Sequence, residues 1–479
     1  MEKGFVCIGW GRENITPDKP VRLRGLFRER ISEYVQSELM VTILAVETRD
    51  AQGNSIDQMI IVSCDMGGVE ADVLYDVRAI LPEAVNGFDP KKLFINATHT
   101  HTAPFTIHQR MSRKPMALVP ESIWPVFKEP EIDIMTEVEF RELLISKIIC
   151  ACKSAWNSRA PGKMSRCLGW QVLSHNRRVL YKDGSTLMYG KTDTPEYFGP
   201  EGPEDHGMEM LYFWDNKGSL TGVAVNTASP AQVLENHSFV SADYWGEARR
   251  ELVNRGRGEV FILPLCGAAG DQSPRDFTRR GRGEPDMFNI PGAQELGRRV
   301  VDVVLGNERA AAELANGQVC MKHSIAHPML PIRTVTREER NRAQADVDTL
   351  IASVESGQRL QESQLWTLYD QAAIIERYAI QREQSLFQPE IHVVRLGEAA
   401  IVTNPFELFT TYGLQIKARA KAEQTLIVQL SCGHSGYLPT AQAVRAGHYS
   451  AIVGSGLVGP EGGDYLVNML VQAINEMFD

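Results

Sequence analysis

The sequence predicts an α/β protein with a mixed β-sheet core flanked by helices. Three observations lead there. Short apolar runs end abruptly in polar or glycine-rich corners, as buried strands do. Between residues 40 and 101 the order is strand, strand, helix, strand, which suggests a mixed sheet with a crossover connection. Longer stretches with apolar residues three and four apart supply covering helices.

The elements follow in chain order. "MVTILAVETRD" and "QMIIVSCDMGG" read as strands, "EADVLYDVRAILPEAV" as a helix, and "KKLFINATHTH" as a strand with a polar exit. Residues 131–158 carry helical spacing, and 170–187 read as β structure broken by turns. "MEMLYFWDNKGSLTGVAVNTA" reads as a hairpin around Asn216, Lys217 and Gly218. A helix is expected over Asp243 to Arg255, a strand in "EVFILPLCGAAGDQSP", and a helical stretch over 289–315. Near Thr334 the composition becomes charged and amphipathic, so residues 334–388 read as a helical insertion in a single domain of 1–479. "EIHVVRLGEAAIVTNPFELF" returns to strand, and "GGDYLVNMLVQAINEMF" is a helix.

The chain has 479 residues, 50 basic and 60 acidic, for a net charge of -10. Without a long single-sign run, this argues against a nucleic-acid-binding body and supplies no polybasic membrane patch. No apolar run approaches the roughly 20 residues that span a bilayer. The N-terminus shows no secretory leader, and the eight cysteines contain no CxxC. A soluble, cytoplasmic protein is expected, with a secreted protein whose leader has been removed as the alternative. The oligomeric state is not readable.

Polar residues collect where strands end: Asp65 after "MIIVSC", His99 and His101 after "LFINAT", Asp271 and Ser273 after "FILPLCGAAG", and Glu407 after "AAIVTNPF". Such loops are where α/β sheets place ligands. On a continued strand, His99 and His101 would face one side and could share a metal. Each also has an ordinary reading: Asp271 as a turn cap, Glu407 as a carboxylate at a helix start. HExxH, GxSxG, Walker A and dinucleotide fingerprints are absent, which argues against the matching hydrolases, kinases and dehydrogenases.

"NATHTHTAP", "GDQSP" and "SGYLPT", in that order, together with "GWGRENITP" and "NPFELFT", resemble the catalytic domain of the neutral, non-lysosomal ceramidases. The resemblance runs from about Gly9 to Gly462, without the family's usual C-terminal domain. It implies one divalent metal, zinc, and a water that attacks an amide. His99, Glu407 and Tyr437 would be ligands, and His101 a further ligand or a residue that orients one. It implies that Tyr449 orients the substrate carbonyl, that Arg177 stands beside the reacting group, and that Ser273 positions polar atoms.

One position departs. Where the family carries a His-Pro ligand pair, this chain has Ser229 before Pro230. His237 is the expected substitute ligand, with Glu235 as the other option. The expected function is therefore a metal-dependent hydrolase cleaving an amide-like or ester-like bond in a polar small molecule, or in an N-acyl lipid. The alternative is an inactive small-ligand or protein-binding module that kept the scaffold.

Overall fold

The computed structural model describes residues 2–26, 29–107, 132–358 and 360–479. The elements that position the site are, in chain order, β1 (Gly4–Asn14), β2 (Met40–Arg49), β3 (Ser55–Cys64), α1 (Ala71–Ala84), β4 (Leu93–Ala97), α2 (Glu137–Asn157), β5 (Ala160–Trp170), β6 (Gly207–Asp215), β7 (Leu220–Thr227), α3 (Tyr244–Asn254), β8 (Phe261–Cys266) and α4 (Ile290–Gly306). The later part adds β9 (Met321–Ala326), α5 (Arg337–Glu355), α6 (Glu362–Ile380), β10 (Ile391–Leu396), β11 (Ala399–Thr403), α7 (Thr410–Arg419), β12 (Gln424–Val428) and α8 (Pro460–Phe478).

The principal sheet runs β8-β7-β6-β5-β1-β2-β3-β4, with Gln318–Val319 also pairing β1. Most neighbours are antiparallel; β3/β4 and β7/β8 are parallel, each joined through a helix. This is the expected mixed α/β core. The sheet coils until its edge strands meet: Ser63 Oγ and Asn96 Nδ2 both donate to the Pro264 carbonyl, at 2.6 and 3.3 Å. A second sheet, β9-β10-β11-β12, leans on it and ends in another parallel pair, β11/β12. Asn226 on β7 ties the two together, donating to the carbonyls of Leu265 and Ile427 and accepting from Ile427 N–H. The sequence pattern anticipated one mixed sheet; strand runs alone do not say where a sheet stops.

Burial on both faces explains the unbroken "MEMLYFW". Leu211 and Phe213 join the core that includes β1–β4 and α2, whereas Met208, Met210, Tyr212 and Trp214 join the core under α3 and α4. Helix α2 begins with a Thr136/Glu139 capping box and buries Phe140, Leu144, Ile148, Cys152 and Trp156 along one face. It crosses β1 at the glycines of "GWG". A Cβ on Gly9 or Gly11 would overlap the carbonyls of Ala155 or Ala151, so strand and helix backbones touch.

Helices α5 and α6 leave and re-enter through the two-residue ladder Leu330–Pro331 with Leu386–Phe387, and hold a small core of Val347, Leu368 and Ala372. Among the described residues no helix is long and apolar enough to cross a membrane.

Candidate metal-centred active site

The three parallel strand pairs send their C-terminal ends to one region. His99 lies just beyond β4, and Gly67 just beyond β3. Ser229, Gln232 and Glu235 follow β7; Gly270 and Asp271 follow β8. Glu407 follows β11, while His434 and Tyr437 follow β12. Glu407–Leu408 is a short strand rather than a helix start, and it pairs in parallel with Tyr437–Leu438. Gly270 presses against the Glu407 backbone, where a Cβ would overlap the carbonyl, and its N–H donates to Leu408 O at 2.8 Å. That close approach is the reason for a glycine in "CGAAGD".

His99 is held in the left-handed backbone region, φ 66°, uncommon for a residue with a side chain. Its Nδ1 lies 2.5 Å from Gly67 O, and its Nε2 lies 3.2 Å from Glu407 Oε2. His434 Nε2 lies 3.6 Å from the other oxygen, Oε1, and Arg24 donates to His434 Nδ1 at 3.1 Å. Arg177, 3% exposed, donates through Nη2 to Gly270 O at 2.8 Å and Tyr437 Oη at 3.0 Å, and that nitrogen is 3.9 Å from Glu407. Its Nη1 donates to Tyr189 Oη at 3.0 Å. The rings of Tyr437 and Tyr449 meet edge to face, 5.5 Å apart.

Burial pushes the Glu407 carboxyl up, but His99 and His434 outweigh it and hold the group well below the usual carboxylate range. Burial raises both tyrosine hydroxyls, keeping them protonated donors.

No protein-family model matches the sequence, and no curated protein sequence is similar to it. Solved structures are similar, two of them as follows. The neutral ceramidase from Pseudomonas aeruginosa superposes with a TM-score of 0.68 at 17% identity, covering 99% of this chain and 74% of that one. A structure described as ceramidase complexed with C2 gives 0.67 at 16% identity, covering 99% and 75%. The fold is ceramidase-like. At such identities the likeness extends to architecture alone, and the site must be argued from its own atoms.

A divalent metal could be shared between His99 and Glu407. Gly67 O can only accept, so His99 Nδ1 carries the proton, as in histidines whose other nitrogen binds metal. Nε2 then meets the Glu407 carboxylate either as an imidazolium or across a shared cation. Glu407, Tyr437 and His434 add oxygen and nitrogen donors of the kind zinc accepts.

His101 is arranged differently. Its Nδ1 bonds Glu235 Oε2 at 2.8 Å and its Nε2 lies 2.9 Å from Gln232 Nε2, so both ring nitrogens are spent on protein partners. Burial outweighs the neighbouring carboxylate and pushes its pKa down to about 4, which leaves the ring neutral. Glu235 also accepts from Arg275 at 3.0 Å. The structure does not bring His237 to Glu407; its ring stacks on Phe239, with centroids 4.7 Å apart. Ser229 donates its hydroxyl to Leu173 O at 3.0 Å. Ser273 Oγ accepts from Arg275 N–H at 3.3 Å, and Asp271 caps α7 through Thr410 N–H at 2.9 Å.

A second cluster could also hold a divalent ion. Ligating atoms of Glu390, His392 and Cys432 lie within 4.8 Å of one another. Arg78 already grips Glu390 with two bonds, 2.9 and 2.7 Å, and His392 bonds both Glu390 and His323. An ion there would have to share the carboxylate with a guanidinium.

Sequence reasoning missed His434, Arg24, Gln232, Tyr189 and Arg275. Three of them carried a signal: His434 follows the apolar run "TLIVQL" three residues before Tyr437, Arg275 directly follows "GDQSP", and Gln232 lies midway between Ser229 and Glu235.

Proposed function

We propose that the protein is a metal-dependent hydrolase, using an activated water to cleave an amide-like or ester-like bond in a small molecule. The observation that supports this most is His99 Nε2 facing Glu407 Oε2 at 3.2 Å, with Tyr437 paired opposite Glu407, on a ceramidase-like fold. In this reading residues 1–479 act as one catalytic unit, with α5 and α6 as its insertion.

His99, Glu407 and Tyr437 would hold zinc, with His434 at the second carboxylate oxygen in the role left open by Ser229. Zinc bound there would lower the pKa of water and polarise the scissile carbonyl. The chain's own groups complete the chemistry. Gly67 fixes the His99 tautomer. Arg177 holds the Tyr437 hydroxyl and sets a buried positive charge near Glu407. Tyr449, kept protonated by burial, donates to the oxygen on which charge develops. The substrate is a polar small molecule, with an N-acyl lipid as the other option. None of the eight cysteines is in a disulfide, which supports a cytoplasmic location.

The test is turnover of a panel of N-acyl amides and esters by the purified protein, with metal content measured in parallel. Chelation should abolish turnover and zinc should restore it. Full activity after complete metal loss would overturn the metal's role. A metal-loaded protein that binds panel members and cleaves none would favour the non-catalytic scaffold.

A further inference from the structure

Residues of α5 and α6 and of the turn after α6 line an open cleft of about 530 Å³: Arg337, Arg340, Asn341, Ile375, Tyr378 and Arg382. Arg337 and Arg340 are three apart on α5 and therefore share a face. Tyr378 lies on α6, and Arg382 follows four residues later, just past that helix's end. The Arg382 guanidinium carbon sits 4.7 Å from the centre of the Tyr378 ring. The positive charges of Arg337 and Arg382 beside the Tyr378 hydroxyl lower its pKa. Arg340 reaches Asn341 Oδ1 at 3.2 Å, a neutral acceptor.

Three guanidiniums thus share one cleft, and among the described residues none forms an ion pair with an Asp or Glu. Glu338 offsets some of the charge on Arg337. Glu339, which could do the same, is spent on capping Thr336. A cleft lined by three guanidiniums carries a positive potential that favours an anion with several oxygens. Guanidinium forks match phosphate oxygens in pairs, and a phenol hydroxyl adds a donor.

We propose that this cleft binds a phosphate-bearing anion, held by Arg337, Arg340, Arg382 and Tyr378. The site is separate from the catalytic residues, and the proposal stands whether or not the hydrolase reading does. The anion is either free in solution or the headgroup of an acidic lipid, since both present the same oxygens.

Two probes distinguish the sources. Inorganic pyrophosphate is titrated calorimetrically into the full chain. Separately, the chain is sedimented with phosphatidylcholine vesicles with and without phosphatidic acid. Arg340→Gln and Arg382→Gln, at half-buried and exposed positions respectively, should each weaken binding at least about tenfold, the scale of a lost charge-assisted hydrogen bond. Pyrophosphate binding lost in the variants supports a soluble ligand. Phosphatidic-acid-dependent sedimentation lost in the variants supports a headgroup. If neither probe binds, or the variants bind as the parent does, the proposal is overturned.

Discussion

Glu407 and Tyr437 stand directly opposite one another in a two-residue parallel ladder, although 30 positions separate them in the chain. The Glu407 N–H donates to Gly436 O at 2.9 Å, and Gly436 takes a left-handed turn, φ 70°, to make that possible. Two oxygen-bearing side chains are thus set by backbone hydrogen bonds rather than by loop packing. Such rigidity suits a site that must hold its donors before anything binds.

From this pairing follows the first prediction. His99→Ala should weaken zinc affinity at least about 100-fold, measured by competition with a chromophoric chelator. His392→Ala should leave the affinity of the catalytic centre unchanged. The reverse outcome would move the metal to the Glu390–His392–Cys432 cluster and make the His99–Glu407 contact an ordinary ion pair.

Tyr449→Phe should lower turnover about 100-fold, the scale of one lost donor to a developing oxyanion, with zinc content unchanged. The ring stays, so its edge-to-face packing on Tyr437 is kept. Equal turnover would remove the hydroxyl from the chemistry.

The fold was legible wherever burial writes a simple pattern. The strands around "MVTILAV" and "MIIVSC", the hairpin at Gly218 and the helix capped by Asp243 all stand where apolar runs and turn residues put them. Glu407 was less legible: "NPFELF" reads equally as a helix start, and the ladder to Tyr437 is a non-local pairing that no local pattern reveals. His99 and His101 looked equivalent at a spacing of two. The left-handed turn at His99 breaks strand alternation, and Gln232 and Glu235 claim only one of the two rings. Arg24 lies far away in sequence and carries no motif, whereas Arg275 directly follows "GDQSP".

Gly11→Ala tests the contact between β1 and α2. The added methyl would overlap the Ala151 carbonyl in a packed core. Overpacking of this kind costs about 1–3 kcal/mol, read as a lower denaturant midpoint in urea. An unchanged midpoint would mean that the helix shifts freely, and that glycine is not required there.

The last prediction concerns acid. His323 and His392 form a buried pair, Nε2 to Nδ1 at 2.8 Å, and His323 N–H donates to Asp57 at 2.7 Å. This joins β9 and β10 of the second sheet to β3 of the first. Burial is the largest influence on both rings and pushes both pKa values down, that of His323 to about 3. The unfolded chain takes up protons at these imidazoles below about pH 6.5, whereas folded His323 resists until about pH 3. In that window the unfolded state binds more protons, so stability falls as pH falls and is fully present only above about pH 6.5. Urea midpoints measured from pH 7 to pH 4 should therefore decline. A His323→Gln variant keeps a polar group at Nε2's position but cannot titrate. It should start less stable at pH 7 and decline less steeply. A parallel decline in the two proteins would place the acid sensitivity elsewhere.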